Sequence, residues 1–284
     1  MPGGPDLFRA LGALCEPPDQ AHARLAAALG LPPPPDAATF TEVLVFQLVP
    51  YAGPYLNPDG MLGGEAADRV AGFWRALRLD PPAEPDHLAA LLGLYAALGE
   101  REDAEERPGP ARAWREARRA LLWEHLLTWV PVYAQAASAL PAAFASAWAR
   151  LLRQAVLGEA QALAPPPATP LHLRDVPELP DPDSAGFLRA LLAPACSGLL
   201  ITRRDLSAAA ASAGLGARTG SRAFTLRALI EQDREATFAW LAERAAWWAA
   251  RHEADIRYLA FIAQHGLGRA QASQRGLAQL SQHN

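Results

Sequence analysis

An apolar rhythm of three and four residues, interrupted repeatedly by proline, constrains this chain more than any other feature. Side chains at i, i+3, i+4 and i+7 share one helix face, whereas a half-buried strand needs strict alternation. Leu88, Leu91, Leu92, Tyr95 and Leu98 form one such stripe. Phe238, Leu241, Ala245, Trp248, His252, Leu259 and Ile262 form a longer one. Proline lacks the helical N–H and clashes with the preceding turn, so Pro17-Pro18, Pro32–Pro35, Pro81-Pro82, Pro108 with Pro110, and the tract Pro165–Pro182 separate the helices. The pattern predicts helices near residues 5–14, 19–30, 38–49, 65–78, 86–99, 111–138 with a break at Pro131, 141–163, 184–193, 203–213 and 221–265. The expectation is an all-α, multi-helix globular bundle of about ten helices with a C-terminal helical extension.

Composition narrows what such a bundle can do. With 51% hydrophobic and 20% charged residues the chain can build a core, and 284 residues allow one large domain or two modest ones. All 26 basic residues are arginine, so Schiff-base and P-loop lysine chemistry are excluded. A net charge of -4 disfavours a general nucleic-acid binder, because affinity for a phosphate backbone needs clustered positive charge. Cys15 and Cys196 stand alone, as small buried hydrophobes rather than a zinc site or a disulfide framework. No apolar run approaches the ~18 residues that cross a bilayer, and Met1–Asp6 has no signal-peptide pattern, so a cytoplasmic location is expected.

The expected organisation is a helical domain over 1–163, a Pro-rich linker over 164–183 and a C-terminal helical section over 184–284 that packs on or extends the first. Glu100–Pro110, charged and without large apolar residues, reads as an exposed connection.

Three segments carry candidate sites. Glu84-Pro85-Asp86-His87-Leu88 opens a helix, where Pro85 suits an early position and the carboxylates suit the positive end of the dipole, so capping alone accounts for it. His125, Trp129 and Tyr133 recur every fourth residue on one helix face, with a kink or restart demanded at Pro131; ordinary core packing is the plain alternative. The loop Tyr51–Gly64 contains the turn Asn57-Pro58-Asp59-Gly60, flanked by Tyr55, Leu56, Met61 and Leu62 as apolar anchors.

Taken in order, P-Y-L-N-P-D-G-M-L-G-G, E-P-D-H-L and H-L-L-T-W-V-P-V-Y resemble the TorD/DmsD/NarJ family of molybdoenzyme maturation chaperones, over roughly residues 5–163. The resemblance implies a TorD-like all-helical fold and a binding role without catalysis. Family members hold the twin-arginine signal peptide or the apo form of a client until its molybdenum cofactor is inserted. By position, Asp86 and His87 match the family's hinge and peptide-binding residues, and Trp129, Pro131 and Tyr133 match its second signature. The hinge element is shorter here than the family's Glu-Pro-x-Asp-His, and the chain beyond residue 164 exceeds a typical member.

A twin-arginine leader presents two guanidinium groups beside an apolar helix-forming stretch, so its receptor needs carboxylates and an apolar groove. Glu84 and Asp86 are candidate arginine partners, and His87, His125 and Pro131 are further candidate client-binding residues. Tyr55, Leu56, Trp74, Trp129 and Tyr133 are candidate groove walls. No cofactor or metal is expected. The partner is a molybdoenzyme catalytic subunit or its leader, and the chain is expected to be a monomer or homodimer.

A rival reading rests on residues 202–230. Gly214–Gly220 superficially resembles a phosphate-binding loop, but it follows a helix rather than a strand, which favours helix termination at Gly214. Thr202 and Asp205 fit a capping box before the first of two helices. Five arginines against one acid between Ser197 and Ile230 give the outline of a helix-turn-helix regulator, with Arg218, Arg222 and Arg227 toward DNA. A helical hairpin with solvated arginines is the simpler reading.

Overall fold

The computed structural model describes residues 4–216, 218 and 220–282. In chain order the α-helices are α1 (Pro5–Ala13), α2 (Gln20–Ala28), α3 (Ala37–Phe40), α4 (Gly53–Leu56), α5 (Gly64–Ala76), α6 (Leu88–Ala104), α7 (Pro108–Ala120), α8 (Val130–Ser138) and α9 (Ala143–Ala162). They continue with α10 (Leu171–Arg174), α11 (Phe187–Leu191), α12 (Pro194–Ser197), α13 (Arg203–Ser212), α14 (Arg222–Gln232), α15 (Arg234–Leu259) and α16 (Phe261–Leu280). Two π-helical segments, Thr41–Gln47 and Leu121–Leu126, continue α3 and α7. Among the described residues the fold is all-α; extended pairing is confined to one antiparallel bridge between Tyr51 and His87.

The chain forms two compact units: residues 1–53 with 62–172, and residues 54–61 with 173–284. In the first unit α6 is the central element. Leu88, Leu91, Leu92, Tyr95 and Leu98, the stripe read from the sequence, are all buried. Phe8 of α1 meets Tyr95 edge to face at 4.7 Å between ring centres. Indole N–H groups tie distant segments to this core: Trp148 donates to the Leu11 carbonyl at 3.0 Å and Trp123 to that of Leu163 at 2.8 Å. Each satisfies a buried donor that would otherwise cost stability.

The second unit centres on α15 and α16, which fold back on each other through the single residue Ala260. Phe238, Leu241, Ala245, Trp248, His252, Leu259 and Ile262 are buried as their spacing predicts. The helices approach closely because Gly266 lacks a side chain; a Cβ there would stand 2.6 Å from the His252 ring. Gly198, at φ +72°, lies equally tight against α16, with Ala270 N only 2.5 Å from an added Cβ.

Three expectations need correction. Glu100–Pro110 is exposed as expected, but most of it is helical: α6 runs on to Ala104 and α7 begins at Pro108. Its charges bind neighbouring helices, Glu102 to Arg115 at 3.1 Å and to Arg118 at 3.0 Å, and Glu100 to Arg9 at 2.6 Å. The predicted helix over 221–265 is three pieces, divided at the N-cap Asp233 and at Ala260. The expected helix ended at 265, whereas α16 runs on to Leu280 through Gly266, Gly268 and Gly276. Residues 164–183 contain α10 and the junction between the units at 172/173.

Candidate functional site

The Glu84–His87 element belongs to the first unit and is built by backbone pairing. Ala52 N–H donates to the Asp86 carbonyl at 3.1 Å, and Leu88 N–H to that of Pro50 at 2.8 Å. This aligns Tyr51 with His87, their rings 4.6 Å apart and edge to face. The Asp86 side chain is buried, 3% exposed, and its Oδ2 accepts from Gly53 N–H at 3.0 Å. Burial raises its pKa, and the Gly53 hydrogen bond opposes that rise. Asp86 therefore fastens the turn; its carboxylate is not turned out to solvent.

Glu84 is exposed, and its Oε2 accepts the Tyr51 hydroxyl at 2.8 Å. His87 caps α6 through Nδ1, which accepts from Ala89 N–H at 3.2 Å. The half-exposed Glu16 places a carboxylate oxygen 3.2 Å from that same nitrogen. The two contacts exclude each other, because Nδ1 accepts when bare and donates to Glu16 only when protonated. Burial, then Glu84, Glu16 and Asp86, push the Tyr51 phenol above its ordinary pKa, so three carboxylates surround that ring. Among the described residues none of the three pairs with an arginine. Of the three, Glu16 and Glu84 are open to solvent, and carboxylates of that kind can pair with a guanidinium. Sequence reasoning missed Glu16 and Tyr51, which lie 68 and 33 residues before Glu84 with no motif linking them.

The His125–Tyr133 element lies in the same unit but not on one continuous helix face. The π segment ends at Leu126, and Pro131 sits in the first turn of α8, where its missing N–H is harmless. Trp129, at the N-cap, is 1% exposed and donates its indole N–H to the His125 carbonyl at 2.9 Å. Tyr133 is fully buried between Trp129 and Trp148, with ring centres 5.6 and 6.2 Å away. His125 Nδ1 lies 3.0 Å from His172 Nε2, a partner the sequence reading overlooked. Burial, followed by the charge of Arg69, pushes His125 down to about 4. Burial, then His125 and Arg69, push His172 down to about 3. Both rings are thus neutral near pH 7, one donating and one accepting. These residues build core; they do not line an open surface.

Trp74, on α5, is half-buried, and its indole N–H has no hydrogen-bond partner among the described residues. Tyr55 and Leu56 fall in the second unit and are 4% and 5% exposed. The turn after them is closed by Gly60 N–H to the Asn57 carbonyl at 3.0 Å, and Gly60 adopts the φ of +66° that the motif requires. The apolar residues flanking it separate: Tyr55 and Leu56 anchor, whereas Met61 and Leu62 are 62% and 57% exposed. Other exposed apolar side chains are Val45, Phe46 and Leu171 in the first unit and Phe224 in the second.

The Cys15 thiol is buried, and burial pushes its pKa far above the ordinary thiol value. Among the described residues no group of three or more His, Cys, Asp or Glu could hold a metal ion, and no helix is long and apolar enough to cross a membrane. For the DNA reading, the capping box of Thr202 and Asp205 is present, but Arg222 is half-buried and donates to the Ile201 carbonyl at 2.9 Å. The proposed turn includes Ala217 and Thr219, which lie outside the described residues.

Residues 14–135 match the family model described as nitrate reductase delta subunit. The similarity covers 122 of the chain's 284 residues. The delta subunit family is one of molybdoenzyme maturation chaperones, and both the Glu84–His87 and His125–Tyr133 elements lie within the matched segment. α9 and almost all of the second unit lie beyond it. No curated protein and no solved structure matches the chain.

Proposed function

We propose that this protein is a cytoplasmic maturation chaperone that holds the twin-arginine leader, or the apo body, of a molybdenum-cofactor redox enzyme before export or assembly. The observation that carries the reading is the pair of solvent-facing carboxylates at one turn, Glu84 on the Tyr51 hydroxyl at 2.8 Å and Glu16 3.2 Å from His87, whose ring packs on Tyr51, within the residues that match the family model. Glu84 and Glu16 are the direct arginine partners in this proposal, and Asp86 positions the turn that presents Glu84. His87 links the turn to α6. Val45 and Phe46, on the π segment leading toward Tyr51, offer apolar contact together with Trp74. His125, Trp129, Pro131 and Tyr133 act through the packing beneath, as Tyr55 and Leu56 do in the second unit. The role is binding without turnover.

The test is a titration of the full chain with a synthetic peptide carrying Arg-Arg before an apolar stretch, against its Lys-Lys counterpart. Bidentate guanidinium pairing predicts about tenfold tighter binding of the Arg-Arg peptide, a difference of ~1.4 kcal/mol. The double change Glu16→Gln and Glu84→Gln should abolish that preference with little change in melting temperature, since both side chains face solvent. Equal affinity for the two peptides in the unaltered protein would overturn the carboxylate role.

A further inference from the structure

His87 stands between two partners that compete for one nitrogen. Its Nδ1 accepts from Ala89 N–H at 3.2 Å, capping α6, and the same atom lies 3.2 Å from Oε1 of Glu16. The ring is held where it is. It is 7% exposed, and the Tyr51 ring packs against it edge to face at 4.6 Å. The backbone on either side is tied down by the Leu88-to-Pro50 and Ala52-to-Asp86 hydrogen bonds. Glu16 is anchored as well, its N–H donating to the Ala13 carbonyl at 3.0 Å just past the end of α1. A ring fixed between fixed partners exchanges them by moving a proton. All of these groups lie in the first unit.

A neutral imidazole carries one hydrogen on its two nitrogens, so Nδ1 can be left bare to cap α6, with Glu16 open to solvent. Protonation puts a hydrogen on both nitrogens. The capping bond is then lost, and Nδ1–H becomes a charged donor to Glu16. The other titratable groups around the ring are Tyr51, Glu84 and Asp86. Burial and the neighbouring carboxylates raise the Tyr51 pKa, so the phenol keeps its proton and donates it to Glu84 at 2.8 Å. Asp86 is buried, with Oδ2 on Gly53 N–H at 3.0 Å. Glu16 is thus the carboxylate that the ring engages.

We infer that His87 is a proton-operated switch on the guanidinium site: neutral, it leaves Glu16 to a guest arginine; protonated, it occupies Glu16 and adds a positive charge beside it. The inference rests on the reading of Glu16 and Glu84 as arginine partners. Affinity for an arginine guest falls as the ring gains its proton, and Glu84, bonded to Tyr51, keeps its share. Linkage requires the reverse: a bound arginine favours the neutral ring, so binding expels a proton wherever His87 of the free protein is charged.

The experiment titrates the full chain with the Arg-Arg and Lys-Lys peptides, termini blocked, between pH 8 and pH 5.5 at constant ionic strength. His87→Asn and Glu16→Gln are the variants; asparagine caps a helix but has no proton to gain. Arg-Arg affinity should drop about fivefold over this range, the scale of a partly exposed ion pair. The binding heat at pH 6 should vary with the ionisation heat of the buffer. His87→Asn should flatten the profile, and Glu16→Gln should weaken binding at pH 8 and remove the drop. Because Glu16 faces solvent, the second variant tests the switch even where the first loosens the turn. A flat profile in the unaltered protein, or an equal drop in either variant, overturns the switch. The free protein gives a separate readout: the Ala89 amide resonance should move over the same pH range as its acceptor is lost. An unmoved Ala89 signal overturns the switch whatever the peptides do. If Arg-Arg is preferred but its affinity ignores pH, the switch falls and the maturation reading stands. If the two peptides bind equally, or neither binds, while Ala89 responds, the arginine reading falls and the exchange of partners at His87 stands.

Discussion

The first unit closes its interior chiefly with indole rings; the second has one such indole, Trp248 donating to the Leu200 carbonyl at 2.9 Å, and brings its helices together by omitting side chains. In the first, Trp123, Trp129 and Trp148 each donate to a backbone carbonyl and are at most 1% exposed. In the second, Gly198 and Gly266 permit backbone approach, while Gly268 and Gly276 on the same helix leave space unfilled. A signature rich in aromatics therefore marks what holds the first unit together, and what it presents to a guest is the acidic turn above. A glycine-rich helix does two jobs in the second unit, according to which neighbour each glycine faces.

The sharpest way to break this contrast is Trp129→Ala. Loss of a fully buried indole should cost ~3–5 kcal/mol in chemical denaturation. Binding of the Arg-Arg peptide to the fraction that remains folded should be nearly unchanged. A variant that keeps its stability but loses the peptide would return Trp129 to the binding surface. Gly198→Ala is the counterpart in the second unit: it forces alanine to positive φ and its Cβ onto Ala270 N, for an expected loss of ~3 kcal/mol by the same measurement. Tolerance of this change would show that the close approach is not required.

A third expectation is a pH slope. His125 and His172 titrate in the folded protein at about 4 and about 3, against an ordinary 6.5. Between these values the unfolded chain binds more protons, so stability is complete above about 6.5 and falls as pH drops toward 4. The slope approaches ~1.4 kcal/mol per pH unit for each histidine. Asp86, raised by burial, contributes with opposite sign, starting from its ordinary 3.8. Unfolding free energies at pH 7, 6 and 5 should show the decline, and His125→Leu with His172→Leu should flatten it. His252 in the second unit is also lowered by burial, so a residual slope after the double change measures that unit.

Much of the architecture was legible because burial follows periodicity: the stripes on α6 and α15 are core residue by residue. The motif positions were legible as well, but not their exposure. Trp129 and Tyr133 look alike on a helical wheel whether they face a guest or Trp148, and only the break before α8 decides it. Asp86 looks like a guanidinium partner until Gly53 is found bonded to it. Glu16 and His172 were invisible because their partners are remote in sequence. α16 was hidden for a different reason: Gly266 lowers helical propensity, yet the His252 ring beside it leaves no room for a larger residue.

Ala260 has a consequence for how the chain can vary. At φ 45° and ψ -119° it is the entire connection between Leu259 and Phe261, so the hairpin has no slack to absorb an inserted or deleted residue. Adding one residue within α15 between His252 and Ala260 would rotate the two helices' facing sides by about 100° relative to each other. His252 would then turn away from the gap left by Gly266 and lose its 2.9 Å contact with the Gly198 carbonyl. Length variation among relatives of this protein should therefore gather in its proline-bearing loops, and the arm from Asp233 to Leu280 should keep a constant count.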